Sequence, residues 1–335
     1  MAINPLLKVT GLKRFFGSVK AVDGVSFSLL PGESVGLIGA NGAGKTTLMR
    51  VLATLDVPDE GQIEMDGADL LATPNLRTAI GWMPDDFICP PSTTVEEYVD
   101  FYARAYRIKG RHRLAEVDRV LRFCGMDGLR DRLADKLSKG EKQRLSLARM
   151  LIGNPRLLIM DEPAAGLDPK ARVEFKGYVR RLQAEGRTLL ISSHILSELA
   201  EMCDRLIMMD AGTIIEQGTR SALVNAFAGD TIEVIMEVLG DPAGLLEELQ
   251  HRTPWVQPSL EAPAAQDGTG REAAGAPAVS RLHAKLRTSG SEEERLRVLS
   301  GELRELSARF PLTSFARRET NLEETFIHLL NEHHA

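Results

Sequence analysis

Cysteine is scarce. Cys89, Cys124 and Cys203 are the only three in 335 residues, and none stands at the spacing of a metal site. That argues against a disulfide-stapled scaffold or a zinc module and predicts free thiols in a reducing compartment. No run of ~18 apolar residues occurs, so the sequence predicts no membrane-spanning helix. Positive charge is not in excess either. The net charge is −6, which gives nucleic acid no basic footprint to bind, and none is expected as a partner. The segment Met1 to Pro5 lacks the basic start and apolar stretch of a secretory leader. What remains is ordinary globular composition, 43% hydrophobic and 26% charged, at a length that suits one large domain and a small one.

The pattern along the chain predicts an α/β protein. Residues 6–30 alternate like short strands, and Val35 to Ile38 is a short apolar run that suits a buried strand. Further buried strands are predicted at Leu157–Met160, Leu189–Ile191 and Leu206–Met209, with helices at 46–53, 141–152 and 170–184. Strand and helix alternate, which implies a mainly parallel sheet covered by helices. Between them, Val95, Tyr98, Val99, Tyr102 and Tyr106 recur at helical spacing, so about 86–140 reads as a helical insert. Thr94 and Glu97 have the spacing of a capping box at its start. The first domain is expected over 1–229 and a small α+β domain over 230–335. Residues 257–279, rich in Pro, Ala and Gly, read as a flexible loop inside it.

Gly39-Ala-Asn-Gly-Ala-Gly44-Lys45-Thr46 fits the P-loop pattern between a buried strand and a helix. Glycines let the backbone curl so that N–H groups face phosphate oxygens, and the following helix adds its positive end. Gly39, Asn41, Gly42, Gly44, Lys45, Thr46 and Thr47 are therefore the expected nucleotide-binding residues. Lys45 supplies a point charge for the terminal phosphates of ATP, and Thr46 a hydroxyl for Mg²⁺. The strand Leu157–Met160 then delivers Asp161 and Glu162 to its C-terminal end, where ligands of open α/β sheets collect. Asp161 is expected to hold Mg²⁺, directly or through water. Glu162 is expected to orient or deprotonate the attacking water.

Further residues carry a family resemblance. Leu137-Ser138-Lys139-Gly140-Glu141-Lys142-Gln143-Arg144 resembles the ABC signature motif, Gly166-Leu167-Asp168 the D-loop, and His194 the switch histidine. Phe16 stands where that family places an aromatic under the adenine. With the P-loop and Asp161-Glu162, these span about residues 6–220 in the family's order, and the chain resembles an ABC ATPase domain of the P-loop NTPase class. The resemblance implies a head-to-tail pair of ATP-binding subunits, alike or different, with each ATP between one P-loop and the partner's signature motif. Ser138, Gly140 and Glu141 would then serve in trans and Asp168 in the D-loop, while His194 would contact the γ-phosphate. Ser138 and Glu141 also have capping-box spacing, and a helix N-terminus attracts an anion.

Three departures stand out. Asp85 replaces the usual Gln after Ile80-Gly-Trp-Met-Pro84, Lys139 replaces Gly, and Glu141 replaces Gln. Asp85 is expected as a metal-side or water-side contact, the alternative being a turn residue after Pro84. These variants, and the tail Asn321-Leu-Glu-Glu-Thr-Phe326, resemble prokaryotic export systems whose ATPase and membrane chains are separate. That implies a transmembrane permease subunit as partner, contacted near Asp85 to Phe101, and a cytoplasmic place on the membrane's inner face. The alternative within the same resemblance is an ABC ATPase acting on ribosomes or DNA. A single P-loop, no long heptads and no metal-spaced cysteines argue against it.

Overall fold

The computed structural model describes residues 4–89, 91–219, 222–223, 231–260, 279–290 and 292–317. It divides the chain into two compact units with the break after Leu223. The boundary expected at 229 and the tail at 321–326 lie outside the described residues.

In the first unit β1 (Leu7–Phe16), β2 (Val19–Leu29), β4 (Glu60–Met65) and β5 (Ala68–Asp69) form an antiparallel sheet in the order β2-β1-β4-β5. A second sheet has the order β10-β9-β3-β8-β7-β6. Its strands are β3 (Ser34–Ile38), β6 (Ile80–Met83), β7 (Leu157–Met160), β8 (Thr188–Ser193), β9 (Arg205–Asp210) and β10 (Thr213–Thr219). The five from β3 to β9 run parallel, and β10 closes one edge antiparallel. Every residue of β3, β7 and β8 is buried, which is why these strands read as continuous apolar runs rather than alternating ones. One core joins the two sheets: Leu7, Leu12 and Leu29 belong to the same cluster as Val35, Ile159, Leu190 and the apolar face of α1 (Lys45–Leu52).

Register decides where the chemistry gathers. Ile38 is level with Ser193, Met160 with Ile191 and Met83 with Met160. The residues that leave these strands therefore emerge side by side: Gly39 from β3, Asp85 after β6, Asp161 and Glu162 from β7, His194 from β8. That is the carboxyl edge where a parallel sheet collects ligands.

Two insert helices, α2 (Val95–Ala105) and α3 (Gly110–Phe123), are followed by two single 3₁₀ turns. Thr94 caps α2: its hydroxyl accepts from Glu97 N–H, and the Glu97 carboxylate accepts from Thr94 N–H. The insert closes on itself through Val95 N–H to Arg132 O and Ala134 N–H to Thr93 O. Then come α4 (Lys139–Met150), α5 (Pro169–Ala184) and α6 (Leu196–Met202).

The second unit runs β11 (Thr231–Leu239), α7 (Ala243–His251), β12 (Trp255–Leu260), β13 (Val279–Arg287), α8 (Glu292–Arg309) and β14 (Leu312–Arg317). This β-α-β-β-α-β succession forms an all-antiparallel sheet ordered β12-β13-β11-β14, the split-βαβ arrangement of ferredoxin-like folds. Burial alternates strictly along β11, so one face is apolar. That face shares a core with Leu245 and Leu249 of α7 and Leu299, Leu303 and Leu306 of α8. Trp255 and Arg252 both donate to the Glu302 carboxylate, at 2.8 and 2.9 Å, satisfying the indole N–H beside the core. The loop expected at 257–279 needs correction at its ends. Gln257 to Leu260 complete β12, and Val279 begins β13. Composition suggested a loop there because Pro258 sits in an edge strand, where a missing N–H is tolerated. Residues 261–278 lie outside the described residues.

Candidate nucleotide site

The loop from Gly39 to Gly44 joins β3 to α1 and is held by backbone hydrogen bonds and by the Lys45 side chain. Ala43 N–H donates to Ala40 O, Gly212 N–H to Ala43 O, and Leu48 N–H to Gly44 O. Gly44 has φ +99° and carries the first turn of α1. A Cβ on it would fall 2.0 Å from Ala21 O, so only glycine allows β2 this close. The Lys45 side chain is buried, and its ammonium donates to Gly39 O at 2.8 Å and Ala40 O at 3.2 Å. It lies 3.7 Å from Glu162 Oε1.

A cavity of about 580 Å³ opens over this loop, within the size range of small-molecule sites. Asn41, Gly42, Gly44, Lys45, Thr46 and Thr47 line its floor. Asp85, Glu162 and His194 line the side above the sheet edge. The first N–H groups of a helix lack intrahelical partners, so α1 turns both unspent donors and a positive end toward this space.

Glu162 is unusually placed. Its backbone is left-handed, φ +46°, which for a non-glycine residue costs on the order of 1–3 kcal/mol. The surrounding groups hold it there. Its N–H donates to Ser192 Oγ at 2.8 Å, and its Oε2 lies 2.8 Å from His194 Nδ1. Asp161 is buried beneath, 1% exposed, and accepts from the Ser192 hydroxyl at 2.7 Å. Ser192 was not among the residues expected from sequence. The available signal was a hydroxyl pair, Ser192-Ser193, interrupting an otherwise apolar buried strand just before His194.

Asp85 sits at the open rim. Partial desolvation, and then the charges of Asp161, Asp86 and Glu162, raise its carboxyl above the usual range, with Lys139 pulling the other way. The backbone leading to it is clamped from α4: the Arg149 guanidinium donates to Trp82 O at 2.9 Å and lies over the Phe87 and Tyr102 rings.

Phe16, expected as the adenine platform, ends β1. It is 48% exposed, outside the cavity lining, and the Arg14 guanidinium lies 4.6 Å from its ring centre. Val19, Lys20 and Ala21, which begin β2, line the cavity.

Ser138, Gly140, Glu141 and Asp168 line a different cavity, of about 390 Å³. Two helix starts converge on it. Ser138 caps α4, accepting from Glu141 N–H at 3.3 Å, while Glu141 accepts from Ser138 N–H at 2.7 Å and from Arg132 at 3.1 Å. The Ser138 N–H, more than any other group, holds the Glu141 carboxyl below its usual range. Asp168 caps α5 through Ala171 N–H. Lys139 lies across Gly166, where a Cβ would meet its Nζ at 2.3 Å.

Comparison with known proteins decides the family. The family described as ABC transporter matches residues 22–165. Nod factor export ATP-binding protein I of Paraburkholderia xenovorans is 37% identical over 240 residues, covering 71% of this chain and 78% of that protein. The chain belongs to the ATP-binding subunits of ABC transporters. Among solved structures, the ATP-binding subunit of an ABC transporter matches at 29% identity and TM-score 0.60, covering 67% of this chain and 93% of that one. A bacterial Atm1-family ABC exporter with ATP bound matches at 28% identity and TM-score 0.58, covering 67% of this chain and 40% of the exporter. This ABC subunit binds ATP and hydrolyses it in the service of transport. The ribosome or DNA alternative finds no such support. The first unit has the fold of an ABC ATP-binding cassette.

Proposed function

We propose that this ABC ATPase powers export through a separate transmembrane permease subunit, working as a nucleotide-bridged pair of ATP-binding subunits on the cytoplasmic face of the membrane. The observation that carries the proposal is the division of the expected site. Lys45, Glu162 and His194 share one cavity, while Ser138, Gly140 and Asp168 share another. A second subunit packed head to tail brings the capped N-terminus of its α4 onto the triphosphate held by the first. The relatives' names support the export direction. Among the described residues no helix is long and apolar enough to cross a membrane.

The residues fit the Mg²⁺ complex of ATP. Thr46, Asp161 and Asp85 offer only oxygen ligands, and Mg²⁺ usually takes one or two carboxylates together with substrate phosphates. Among the described residues no group of three His, Cys, Asp or Glu forms a cage of its own, which agrees with an ion shared with the nucleotide. Bound there, Mg²⁺ would neutralise phosphate charge. The chain's own residues do the rest. Lys45 adds a cation at the terminal phosphates, Glu162 orients the attacking water and takes its proton, and His194 fixes the Glu162 carboxylate and faces the γ-phosphate.

Removing the Glu162 charge keeps the binding groups. Glu162→Gln is expected to bind ATP, to hydrolyse it about 10²–10⁴-fold more slowly, and to run as a dimer on size-exclusion chromatography with Mg-ATP. A variant that stays monomeric with ATP bound would refute the paired site.

A further inference from the structure

Asp161 and Glu162 are consecutive, yet one side chain outside the cavity lining touches both. Ser192 is fully buried on β8, next to β7 in the sheet. A serine hydroxyl has one proton to give and lone pairs to accept with. Here the proton goes to Asp161 Oδ1 at 2.7 Å, and the oxygen accepts the Glu162 N–H at 2.8 Å. The direction is unambiguous, because a backbone N–H can only donate and an ionised carboxylate only accept. The second bond satisfies an N–H at a left-handed turn, φ +46°. Two residues further along the same chain, His194 Nδ1 lies 2.8 Å from Glu162 Oε2, and Lys45 approaches Oε1 to 3.7 Å. β8 and the residue after it thus hold Glu162 at both ends, by its backbone through Ser192 and by its carboxylate through His194.

We propose that Ser192 is a positioning residue for ATP hydrolysis, locking the Glu162 backbone and the Asp161 carboxylate into one rigid unit. The proposal rests on the reading of Glu162 as the hydrolytic carboxylate. Ser192 does not line the cavity, so it acts on the reaction through Glu162 and Asp161 and not on the nucleotide. Displacement of a reacting group by about 1 Å can cost roughly 10²-fold in rate, and loss of an outer-layer partner at a metal site typically costs 10–100-fold. A residue that merely filled space in β8 would change melting and leave turnover alone.

The test is a double-mutant cycle on the purified chain: parent, Ser192→Ala, Glu162→Gln and the double variant, each measured for kcat, KM for Mg-ATP and melting temperature. Ser192→Ala should lose about 10–100-fold in kcat, with KM for ATP within about threefold and no comparable loss of melting temperature. Residues acting as a unit are non-additive, so Ser192→Ala should slow Glu162→Gln by less than it slows the parent. Parental kcat in Ser192→Ala while Glu162→Gln is slow would overturn the role of Ser192 and leave the site reading intact. So would a Ser192→Ala loss that multiplies in full onto Glu162→Gln. Parental turnover in Glu162→Gln would overturn the site reading itself, and the proposal with it.

Discussion

Gly44→Ala should do more harm than any other single-methyl change in the phosphate loop. Two effects add. The backbone at φ +99° is one that an L residue adopts only under strain, about 1–3 kcal/mol. The new Cβ would also stand 2.0 Å from Ala21 O. That carbonyl cannot retreat cheaply, since its neighbours Lys20 and Val22 pair with Phe15 and Arg14 of β1. Overpacking of this kind costs about 1–3 kcal/mol more. The sum, about 2–6 kcal/mol, corresponds to a melting temperature roughly 5–20 °C lower for a unit of this size. Alternatively the loop reshapes and ATP affinity collapses. Gly42→Ala separates the two effects, because Gly42 has φ +87° but nothing within 4 Å of its Cβ position; it should show only the strain. Calorimetric melting and equilibrium ATP binding on both variants decide the matter. A Gly44→Ala protein as stable as Gly42→Ala, with parental affinity, refutes the close-approach argument.

Other predictions concern the rim and the second cavity. Because the Asp85 carboxyl is raised, its proton is favoured in the folded state. Its charge therefore opposes folding at neutral pH, and the opposition vanishes as pH falls below the ordinary aspartate value. Asp85→Asn should accordingly raise the melting temperature near pH 7 and leave it unchanged near pH 3; equal shifts at both would contradict the assignment. Ser138→Ala removes the cap of α4 and should cost about 1 kcal/mol, seen as a small fall in denaturant midpoint. Ser138→Asp keeps the cap but sets a carboxylate where the partner's phosphate is proposed to lie. Introduced into Glu162→Gln, it should preserve stability and abolish the ATP-dependent dimer, and a dimer that persists would count against the trans contact.

What the sequence made legible was local. The strand, glycine loop and helix around Lys45 follow one another within some twenty residues, so spacing alone places them; the apolar runs of β7 and β8 likewise announce buried parallel strands. What escaped depends on pairing across distance. The Ser192 link needs the register of β7 against β8, thirty-one residues from Asp161, which periodicity does not encode. The order β12-β13-β11-β14 depends on β11 pairing with β13 and β14 across intervening helices, so the chain suggests only a small α+β unit. Phe16 is expected from its place in a motif order; that the Arg14 guanidinium lies over its ring is a tertiary matter which that order does not encode. Gln257 to Leu260 looked like loop because edge strands tolerate loop-like residues.

The central claim is that the cavity over Gly39 to Thr47, with Glu162 at its side, binds ATP and hydrolyses it. The most direct measurement is phosphate release by the purified chain and its Lys45→Ala variant, with ATP binding followed on the same samples by titration calorimetry. Lys45 is buried and points its ammonium into the loop. The account predicts that Lys45→Ala keeps the fold, loses the binding heat and releases phosphate no faster than buffer. A folded Lys45→Ala protein that binds and hydrolyses ATP like the parent would contradict it.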